Sequence, residues 1–247
     1  MCRLLGVVTG TPVPLAESLG SHAGAFRELS AEHCHGWGAA HTGSAGLTVV
    51  RHTTPAREGA EFAELAARET DAAVLHIRLA SPGMPLRAVN THPFSADGAA
   101  FVHNGHFLPP DVLDGLAAEP QGNTDSERYF LRVLALLRDH EPPAAIATAA
   151  AEIAGQAEFS SLNCLLLTEQ ALYAYTQHDP DSPVSRRRGA DFFDLRYRVE
   201  PGRVLVGSTG WPQDGWQVLP QRHVLEVERK SLRVAVHAPR PYSSTMD

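Results

Sequence analysis

The chain contains 247 residues, of which 43% are hydrophobic and 20% are charged, so it is long enough to bury a sizeable core. Its 28 acidic and 21 basic side chains give a formal net charge of −7. This balance argues against a nucleic acid partner, because phosphates attract a basic surface. The sequence has no uninterrupted apolar stretch long enough to cross a bilayer, so we expect no membrane partner.

The cysteine and histidine content argues against disulfide and metal frameworks. Three cysteines are an odd and sparse set, which is typical of a reducing compartment and favours a cytoplasmic protein. The 13 histidines are scattered, and the one tight cluster, His33-Cys34-His35, lacks a second ligand pair at zinc-binding spacing. We therefore expect neither a metal site nor a cofactor.

Short apolar runs that are rich in β-branched residues and bounded by turn residues predict ten strands. In chain order they cover residues 4–8, 47–50, 73–79, 99–102, 162–167, 172–175, 197–199, 204–206, 223–227 and 232–236. Pro201-Gly202 is typical of a tight turn between two of these strands, and the last two strands are expected to form a hairpin.

Helical spacing of apolar residues predicts three helices, over residues 61–69, 125–140 and 144–154. Thr124 and Glu127 form a capping-box pattern at the start of the second helix, and Gly155 is expected to end the third. Residues 176–191, which include three consecutive arginines, are predicted to form a solvated loop. Many strands with helices in several places indicate an α+β fold.

The chain opens "MCRLLGVV", which places a cysteine directly after the initiator methionine. Removal of Met1 leaves Cys2 with a thiol and a free α-amine on the same residue. A neutral amine takes the thiol proton, directly or through a water, and the thiolate attacks a carbonyl to form a thioester. Chance also explains a cysteine at this position, so the remaining parts of such a site have to be found elsewhere.

The segment "FVHNGHF" contains the first of those parts. Phe101 and Val102 are expected to end a strand, and Asn104-Gly105 is a turn dipeptide. A simple hairpin turn explains the pair. The functional alternative is that the Asn104 amide and the Gly105 backbone N–H point at a developing oxyanion.

Two further segments contain groups that bind an α-amino acid. In "LHIRLASPGMPLRAVNTHPF", Arg78 is expected near a strand end, and a guanidinium binds a carboxylate through two hydrogen bonds. Ser81 and His92 add hydrogen bonds there or merely pack and cap turns. In "GNTDSERYF", Asp125 lies in the first turn of a helix, where it complements the helix dipole or receives a substrate ammonium.

Together these groups describe one substrate. They provide an arginine for an α-carboxylate, an aspartate for an α-ammonium, an oxyanion pair and an N-terminal thiol. The substrate that fits is an α-amino acid with a carbonyl further along its side chain. Glutamine and γ-glutamyl amides have this structure.

The sequence resembles the class II glutamine amidotransferase domains of the N-terminal nucleophile hydrolases. It is most similar to their small, free-standing members, a group that includes the hydrolase acting on a γ-glutamyl intermediate of ergothioneine biosynthesis. Six stretches match, in the family's order and over roughly the first half of the chain. They are "MCRLLG", "HGWGAAH", "HIRLAS", "NTHPF", "VHNGHF" and "NTDSE".

The resemblance implies one domain over residues 1–247, built as a four-layer αββα sandwich with two antiparallel sheets between helical layers. It also implies Cys2 as the nucleophile after removal of Met1. The other roles that it implies are an oxyanion hole at Asn104 and Gly105, a carboxylate ligand at Arg78, an ammonium ligand at Asp125, pocket-lining or buttressing groups at Ser81 and His92, and a segment beside the nucleophile at Gly36, Trp37 and Gly38.

Two positions depart from the family pattern. Many relatives have aspartate where this chain has His35, and Ser81 replaces a commoner threonine while it keeps the hydroxyl group. Neither departure touches the inferred chemistry, but both leave pocket detail and substrate choice open.

We expect hydrolysis of glutamine or a γ-glutamyl amide, with release of glutamate and an amine or ammonia. Two alternatives stay open. The chain is a glutaminase subunit that supplies ammonia to a separate synthetase partner, or it is a non-catalytic protein that binds glutamine.

Overall fold

The computed structural model describes residues 2–44, 46–81 and 83–239. Within this part of the chain, the helices are α1 (Leu15–Leu19), α2 (Ser21–Glu28), α3 (Glu61–Ala66), α4 (Asp125–Leu136), α5 (Pro142–Gln156) and α6 (Pro183–Arg188). The strands are β1 (Arg3–Pro14), β2 (Trp37–Gly43), β3 (Gly46–His52), β4 (Glu69–Ile77), β5 (Phe94–Ala96), β6 (Ala99–Leu108), β7 (Glu158–Leu167), β8 (Ala171–Tyr175), β9 (Leu195–Glu200), β10 (Arg203–Ser208), β11 (Gln217–Val218), β12 (Val224–Glu228) and β13 (Val234–His237).

The strands form two sheets in which the paired neighbours are antiparallel. One sheet has seven strands in the order β11-β9-β10-β1-β4-β2-β3. The other has six strands in the order β13-β12-β8-β7-β6-β5. The predicted α+β class and the pair of antiparallel sheets are therefore confirmed.

Side-chain alternation along β1 shows how the layers stack. Leu4 and Val8 lie in a core cluster that the two sheets share, whereas Leu5 and Val7 lie in a second cluster with α1, α2 and α3. The sheets approach closely at Gly6, where a Cβ atom would lie 3.0 Å from the side chain of Leu172 in the opposite sheet.

The second helical layer covers the six-stranded sheet. The apolar side of α4, with Phe130 and Val133, packs together with Ile146 of α5 against residues of β6, β7 and β8 such as Phe101. The layers therefore follow the order helices, seven-stranded sheet, six-stranded sheet, helices. This is the four-layer αββα sandwich that the resemblance implies.

The structure differs from the sequence-based expectation at one functional segment. Strand β6 does not end at Val102 but runs to Leu108, so Asn104-Gly105 lies inside a strand and forms no hairpin turn. Gly105 is explained by a close approach of the neighbouring strand and not by a positive φ. The turn prediction for this dipeptide is therefore wrong.

Several element boundaries also differ. Residues 176–191 contain α6, which starts after Ser182 because the Ser182 hydroxyl accepts a hydrogen bond from the Ser185 N–H at 3.2 Å. Helix α3 is shorter than predicted because Glu69 already belongs to β4, and α5 continues one residue past Gly155. Helices α1 and α2 and strands β2, β5 and β11 were not predicted, while the β12–β13 hairpin and the turn at Gly202 are confirmed.

No helix among the described residues combines the length and the apolar character that a membrane span requires.

Candidate active site

Cys2 directly precedes β1, the central strand of the seven-stranded sheet. Strand β1 pairs with β10 on one side and with β4 on the other. Because side chains alternate along a strand, Cys2 is on the same side as Leu4 and faces the space between the sheets. The thiol is buried, and its Sγ lies 3.8 Å from the backbone carbonyl oxygen of Leu79.

Burial raises the pKa of the Cys2 thiol above its ordinary value, because a thiolate is poorly solvated there. The positive charge of Arg78 lowers this pKa, and the negative charge of Asp125 raises it. Both charges therefore act on the Cys2 sulfur. The buried thiol stays protonated at neutral pH unless a base takes its proton.

Arg78 and Leu79 are held beside Cys2 by backbone pairing beyond the ends of β2 and β4. The Arg78 N–H donates to the Gly36 carbonyl at 2.8 Å, and the Arg78 carbonyl accepts from the His35 N–H at 3.0 Å. The Ala80 N–H donates to His35 Nδ1 at 3.1 Å. The prediction that Arg78 lies near a strand end is confirmed, since β4 ends at Ile77.

Position 36 requires a glycine, both for its backbone conformation and for the atoms that surround it. Its φ is +121°, a backbone conformation that residues other than glycine rarely adopt. A Cβ atom here would also lie 2.5 Å from the carbonyl oxygen of His52. The next residue, Trp37, is buried and stacks on the His52 ring at 4.6 Å between centroids. The stacked rings of Trp37 and His52 hold residues 35–36 in place, and Arg78 and Ala80 are hydrogen-bonded to these residues.

The Arg78 guanidinium is buried and incompletely paired. Its side chain is 3% exposed, and Nη1 has no hydrogen-bond partner among the described residues. Burial lowers the pKa of this group, and the Cys2 thiolate opposes that shift. A buried cation with a free N–H is suited to an anionic ligand, because an unpaired charge is costly to bury.

Asn104 faces the same space from the other sheet. Ala100 and Val102 lie in the cluster between the sheets, and alternation places Asn104 on their side of β6. The Asn104 side chain is fully buried, and neither its amide nitrogen nor its amide oxygen has a partner within the described part of the chain. Most buried polar atoms in folded proteins are hydrogen-bonded, so both atoms of this amide remain available to a ligand.

Gly105 leaves room for the neighbouring strand. A Cβ atom here would overlap the backbone carbonyl of Ser161 in β7 and would approach His103 Nε2 to 3.0 Å. Glycine is therefore dictated by packing at the position that follows Asn104 in the strand.

Asp125 is the first residue of α4, as the sequence predicts. The Thr124 hydroxyl caps the helix by accepting from the Glu127 N–H at 3.1 Å, while the Glu127 carboxylate accepts from the N–H groups of Gln121 and Gly122. Asp125 Oδ2 accepts from the Phe107 N–H at 3.0 Å, which joins α4 to β6 two residues after Gly105.

The two remaining predicted residues lie in different environments. The His92 ring is buried, stacks on His76 at 4.1 Å between centroids, and has no hydrogen-bond partner on either nitrogen among the described residues. Its backbone carbonyl packs on Gly38, where a Cβ atom would overlap it. Ser81 is exposed at the start of a loop, and its backbone carbonyl accepts from the Met84 N–H at 3.0 Å.

Three buried polar residues that the sequence analysis did not select support this site. His76 Nε2 lies 3.2 Å from the His103 carbonyl, immediately before Asn104. His103 Nε2 lies 3.0 Å from the Ser161 carbonyl, and its Nδ1 lies 2.9 Å from the hydroxyl of Ser126. Both rings therefore fix the backbone around Asn104 and Gly105. The available signal was a histidine inside an otherwise apolar strand.

Asn163 is the third of these residues and pairs with Asn104 across β6 and β7. Its amide oxygen accepts from the Thr176 hydroxyl and from the Gln177 N–H, both at 3.0 Å, and its amide nitrogen donates to the Phe193 carbonyl. Asn163 thus anchors the segment 192–193 next to the candidate site.

Comparison with known proteins gives a family match. The profile of class II glutamine amidotransferases matches residues 1–195. An uncharacterized protein of Methanocaldococcus jannaschii is 33% identical over 147 residues, which cover 57% of this chain and 40% of that protein. The chain therefore spans less than half the length of this curated relative.

Solved structures share the fold. A glutamine aminotransferase class-II domain protein from Silicibacter pomeroyi has a TM-score of 0.67 and 20% identity, with 97% of this chain and 100% of that chain covered. A predicted glutamine amidotransferase from Pseudomonas aeruginosa has a TM-score of 0.58 and 20% identity, with 94% and 99% covered. The glutamine phosphoribosylpyrophosphate amidotransferase from B. subtilis has a TM-score of 0.66 and 15% identity, with 97% and 49% covered.

Proposed function

Because this chain belongs to the class II glutamine amidotransferase family, we propose that it hydrolyses glutamine or a γ-glutamyl amide at Cys2 and releases glutamate and an amine or ammonia. The observation that carries this proposal is the Asn104 amide, which is buried between the sheets with both polar atoms unpartnered among the described residues. A fold does not retain such a group for stability, since an unsatisfied buried amide is costly.

The proposed reaction starts with the free α-amine of Cys2. The amine takes the thiol proton, and Sγ attacks the γ-carbonyl carbon of the substrate. The carbonyl oxygen becomes an oxyanion that accepts hydrogen bonds from the Asn104 amide and from the Gly105 N–H. Met1, whose removal frees this amine, lies outside the described residues.

The intermediate then collapses and the carbon–nitrogen bond breaks. The α-ammonium of Cys2 returns its proton to the departing nitrogen, so an amine or ammonia leaves and a thioester remains. A water molecule gives its proton to the same amine and attacks the thioester. Glutamate is released, and the thiol is regenerated.

The ends of the substrate are assigned by charge. Arg78 binds the α-carboxylate through its unpaired Nη1, and Asp125 binds the α-ammonium from the start of α4. The opposite effects of these two charges on the pKa of Cys2 support their placement at one site. His92 supports the pocket wall, and Ser81 lies at its rim.

The decisive experiment measures glutamate release from L-glutamine and from larger γ-glutamyl amides by protein whose N-terminus is checked by mass spectrometry. We expect turnover only in molecules that have lost Met1, because the amine is otherwise part of a peptide bond. Cys2→Ala should abolish turnover and keep ligand binding, whereas Cys34→Ala, which removes an exposed cysteine, should leave turnover unchanged. Full activity of Cys2→Ala would refute the assignment of the nucleophile.

A second candidate is a glutaminase subunit that delivers ammonia to a separate synthetase partner. This candidate is supported by the B. subtilis amidotransferase. The part of that enzyme that aligns with this chain makes up about half (49%) of its length. Rapid turnover of free glutamine without a partner would contradict tight coupling. Failure with every γ-glutamyl compound, in protein that lacks Met1, would instead favour a glutamine-binding role.

The proposal includes a cytoplasmic location. The described cysteines, Cys2, Cys34 and Cys164, are all free thiols, and a thiol nucleophile depends on a reducing environment.

A further inference from the structure

His35 makes two hydrogen bonds to the segment that follows β4, and the proposed reaction gives this half-buried residue no role. Its backbone N–H donates to the Arg78 carbonyl at 3.0 Å, and its Nδ1 accepts from the Ala80 N–H at 3.1 Å. The two bonds hold the peptide groups on either side of Leu79. Because β4 ends at Ile77, the second peptide group lies beyond the strand, and the His35 ring holds its N–H.

The carbonyl oxygen of the Leu79–Ala80 peptide group is the atom that contacts the candidate nucleophile. It accepts a hydrogen bond from the Cys2 thiol, with 3.8 Å between the oxygen and Sγ. The peptide bond is planar and trans, so its C=O and N–H point in opposite directions. A rotation of this plane moves both groups together. The His35 ring at the N–H end therefore sets the direction of the carbonyl at the Cys2 end.

The bond at the N–H end requires an acceptor on the ring. The Ala80 N–H is always a donor, so the His35 nitrogen that faces it carries no proton. The imidazole is therefore neutral with its proton on Nε2, because a protonated imidazole has two donors and no acceptor. The amide oxygen of an asparagine can take the same place, since it is bonded to Cγ as Nδ1 is in histidine.

The backbone around His35 does not depend on its ring. The Arg78 N–H donates to the Gly36 carbonyl at 2.8 Å, and the Arg78 carbonyl accepts from the His35 backbone N–H. Both of these bonds remain when the ring is replaced by another side chain. Replacement should therefore release the Leu79–Ala80 peptide group and leave Arg78 in place.

We propose that His35 is a positioning residue whose neutral ring orients the Leu79–Ala80 peptide group, so that the Leu79 carbonyl holds Cys2 Sγ in the direction from which it attacks the substrate. This inference rests on the proposed hydrolysis at Cys2 and adds a residue to it. The ring neither touches the substrate nor exchanges a proton with it. Its effect on the reaction passes through one peptide group.

The test compares a replacement that removes the acceptor with one that keeps it, in protein that lacks Met1 and with the γ-glutamyl compound that the wild type hydrolyses fastest. His35→Leu should lower kcat by at least about tenfold, because a misplaced nucleophile attacks slowly. The KM should be unchanged, because Arg78 keeps its place. His35→Asn should restore most of the lost kcat, since its amide oxygen accepts the Ala80 N–H.

Three kinetic results would overturn the inference: a wild-type kcat in His35→Leu, an equal loss in both variants, or a loss that appears only in the KM. The matched control is His140→Leu, which makes the same substitution at an exposed histidine and should keep the wild-type kcat. A similar loss in this control would also overturn the inference. If His35→Leu does not fold by circular dichroism, His35→Ala takes its place with the same expectations.

Infrared spectroscopy separates this inference from the proposed function. The S–H stretching band of Cys2, assigned by its loss in Cys2→Ala, reports on the hydrogen bond of the thiol without any turnover. The band should lie at a lower frequency in the wild type and in His35→Asn than in His35→Leu, because a hydrogen bond weakens the S–H bond. If the bands behave in this way and the wild type hydrolyses no γ-glutamyl compound, the positioning of Sγ stands and the proposed reaction fails. An unchanged band in His35→Leu refutes the inference, whether or not hydrolysis occurs.

Discussion

The Asn104 side chain is the group on which the proposed reaction depends most, and its proposed value to the protein is chemical and not structural. Its amide is fully buried without a partner among the described residues, so its removal should not weaken the fold. We expect Asn104→Ala to lower kcat by about 100- to 1,000-fold, as the loss of one oxyanion donor does. The midpoint of urea unfolding should stay the same or rise.

The control for this prediction is Asn123→Ala, which truncates an exposed asparagine just before α4 and should preserve kcat. If Asn104→Ala instead lost several kcal/mol of unfolding free energy while turnover persisted, the amide would have to be assigned a structural role.

Arg78 allows a test of geometry at constant charge. A guanidinium binds a carboxylate with two parallel N–H groups, whereas an ammonium acts as a point charge. Arg78→Lys should therefore raise the KM for glutamine by about tenfold or more, because it loses a charge-assisted hydrogen bond. Steady-state kinetics would measure this, with the exposed Arg87→Lys as the control, which should match the wild type. A wild-type KM in Arg78→Lys would refute the carboxylate-binding role.

Replacement of glycine by alanine should change the free energy of unfolding in opposite directions at two sites. A Cβ atom at Gly105 would overlap the Ser161 carbonyl, whereas a Cβ atom at Gly155 in α5 meets no atom within 4 Å. We expect Gly105→Ala to lower the free energy of unfolding, and Gly155→Ala to raise it by about 0.5–1 kcal/mol, the usual difference between these residues in a helix. Urea unfolding of both variants checks the pair, and a stable, wild-type-like Gly105→Ala would contradict the packing argument.

At the scale of elements, the start of α4 joins helix stability to the proposed binding of the substrate ammonium. Thr124→Ala removes the hydroxyl that caps the Glu127 N–H and should lower the free energy of unfolding by about 1 kcal/mol. Because Asp125 is the next residue, the KM for glutamine should rise as well. Thr124→Ser keeps the hydroxyl and should restore both values, which urea unfolding and kinetics would measure. Equal behaviour of the two variants would show that the cap is not responsible.

Elements with strong local signals could be predicted from the sequence, and those set by tertiary contacts could not. The amphipathic α4 with its capping threonine, the β12–β13 hairpin and the turn at Gly202 follow from periodicity and turn chemistry. Asn104-Gly105 was expected to turn, because that dipeptide is typical of hairpins. Its glycine is instead required by a neighbouring carbonyl, which is a contact between strands far apart in the sequence.

The same reasoning explains the site residues that sequence reasoning missed. Arg78 and Asp125 are at the ends of recognisable elements, where charged groups have an evident role. His76, His103 and Asn163 lie inside apolar strands, and their roles depend on partners such as the Ser161 and Phe193 carbonyls. Those partners become known only when the strands are aligned. Pattern analysis therefore identifies the proposed substrate ligands more easily than the residues that hold them.

At the scale of the whole molecule, the candidate site depends on how the two sheets pack. Cys2 directly precedes β1 of the seven-stranded sheet and Asn104 lies in the six-stranded sheet, and alternation with Leu4 and Val102 puts both side chains toward the layer between the sheets. Gly6 keeps that layer thin, since any side chain there would press on Leu165 and Leu172. The distance between Cys2 and the proposed oxyanion donors is therefore fixed by the core between the sheets and not by a local loop.

The interior also contains several buried histidines, which should make the fold sensitive to acid. Burial and the charge of Arg3 lower the pKa of His33 to about 4, and burial lowers that of His76 to about 3. Burial also lowers the pKa values of His92 and His103. In the unfolded chain these rings titrate near pH 6.5. Between that pH and the folded pKa values, the unfolded state binds more protons, so its free energy falls relative to the native state.

We therefore expect the free energy of unfolding to be highest above about pH 6.5 and to decrease as the pH falls toward 4. His76→Gln replaces a titrating ring with a neutral side chain whose amide can still donate to the His103 carbonyl. This variant should lose part of the pH dependence in that range, as urea unfolding at a series of pH values would show. His140→Gln, at an exposed position, should keep the wild-type dependence. Identical slopes in wild type and His76→Gln would mean that the buried ring does not stay neutral in the folded protein.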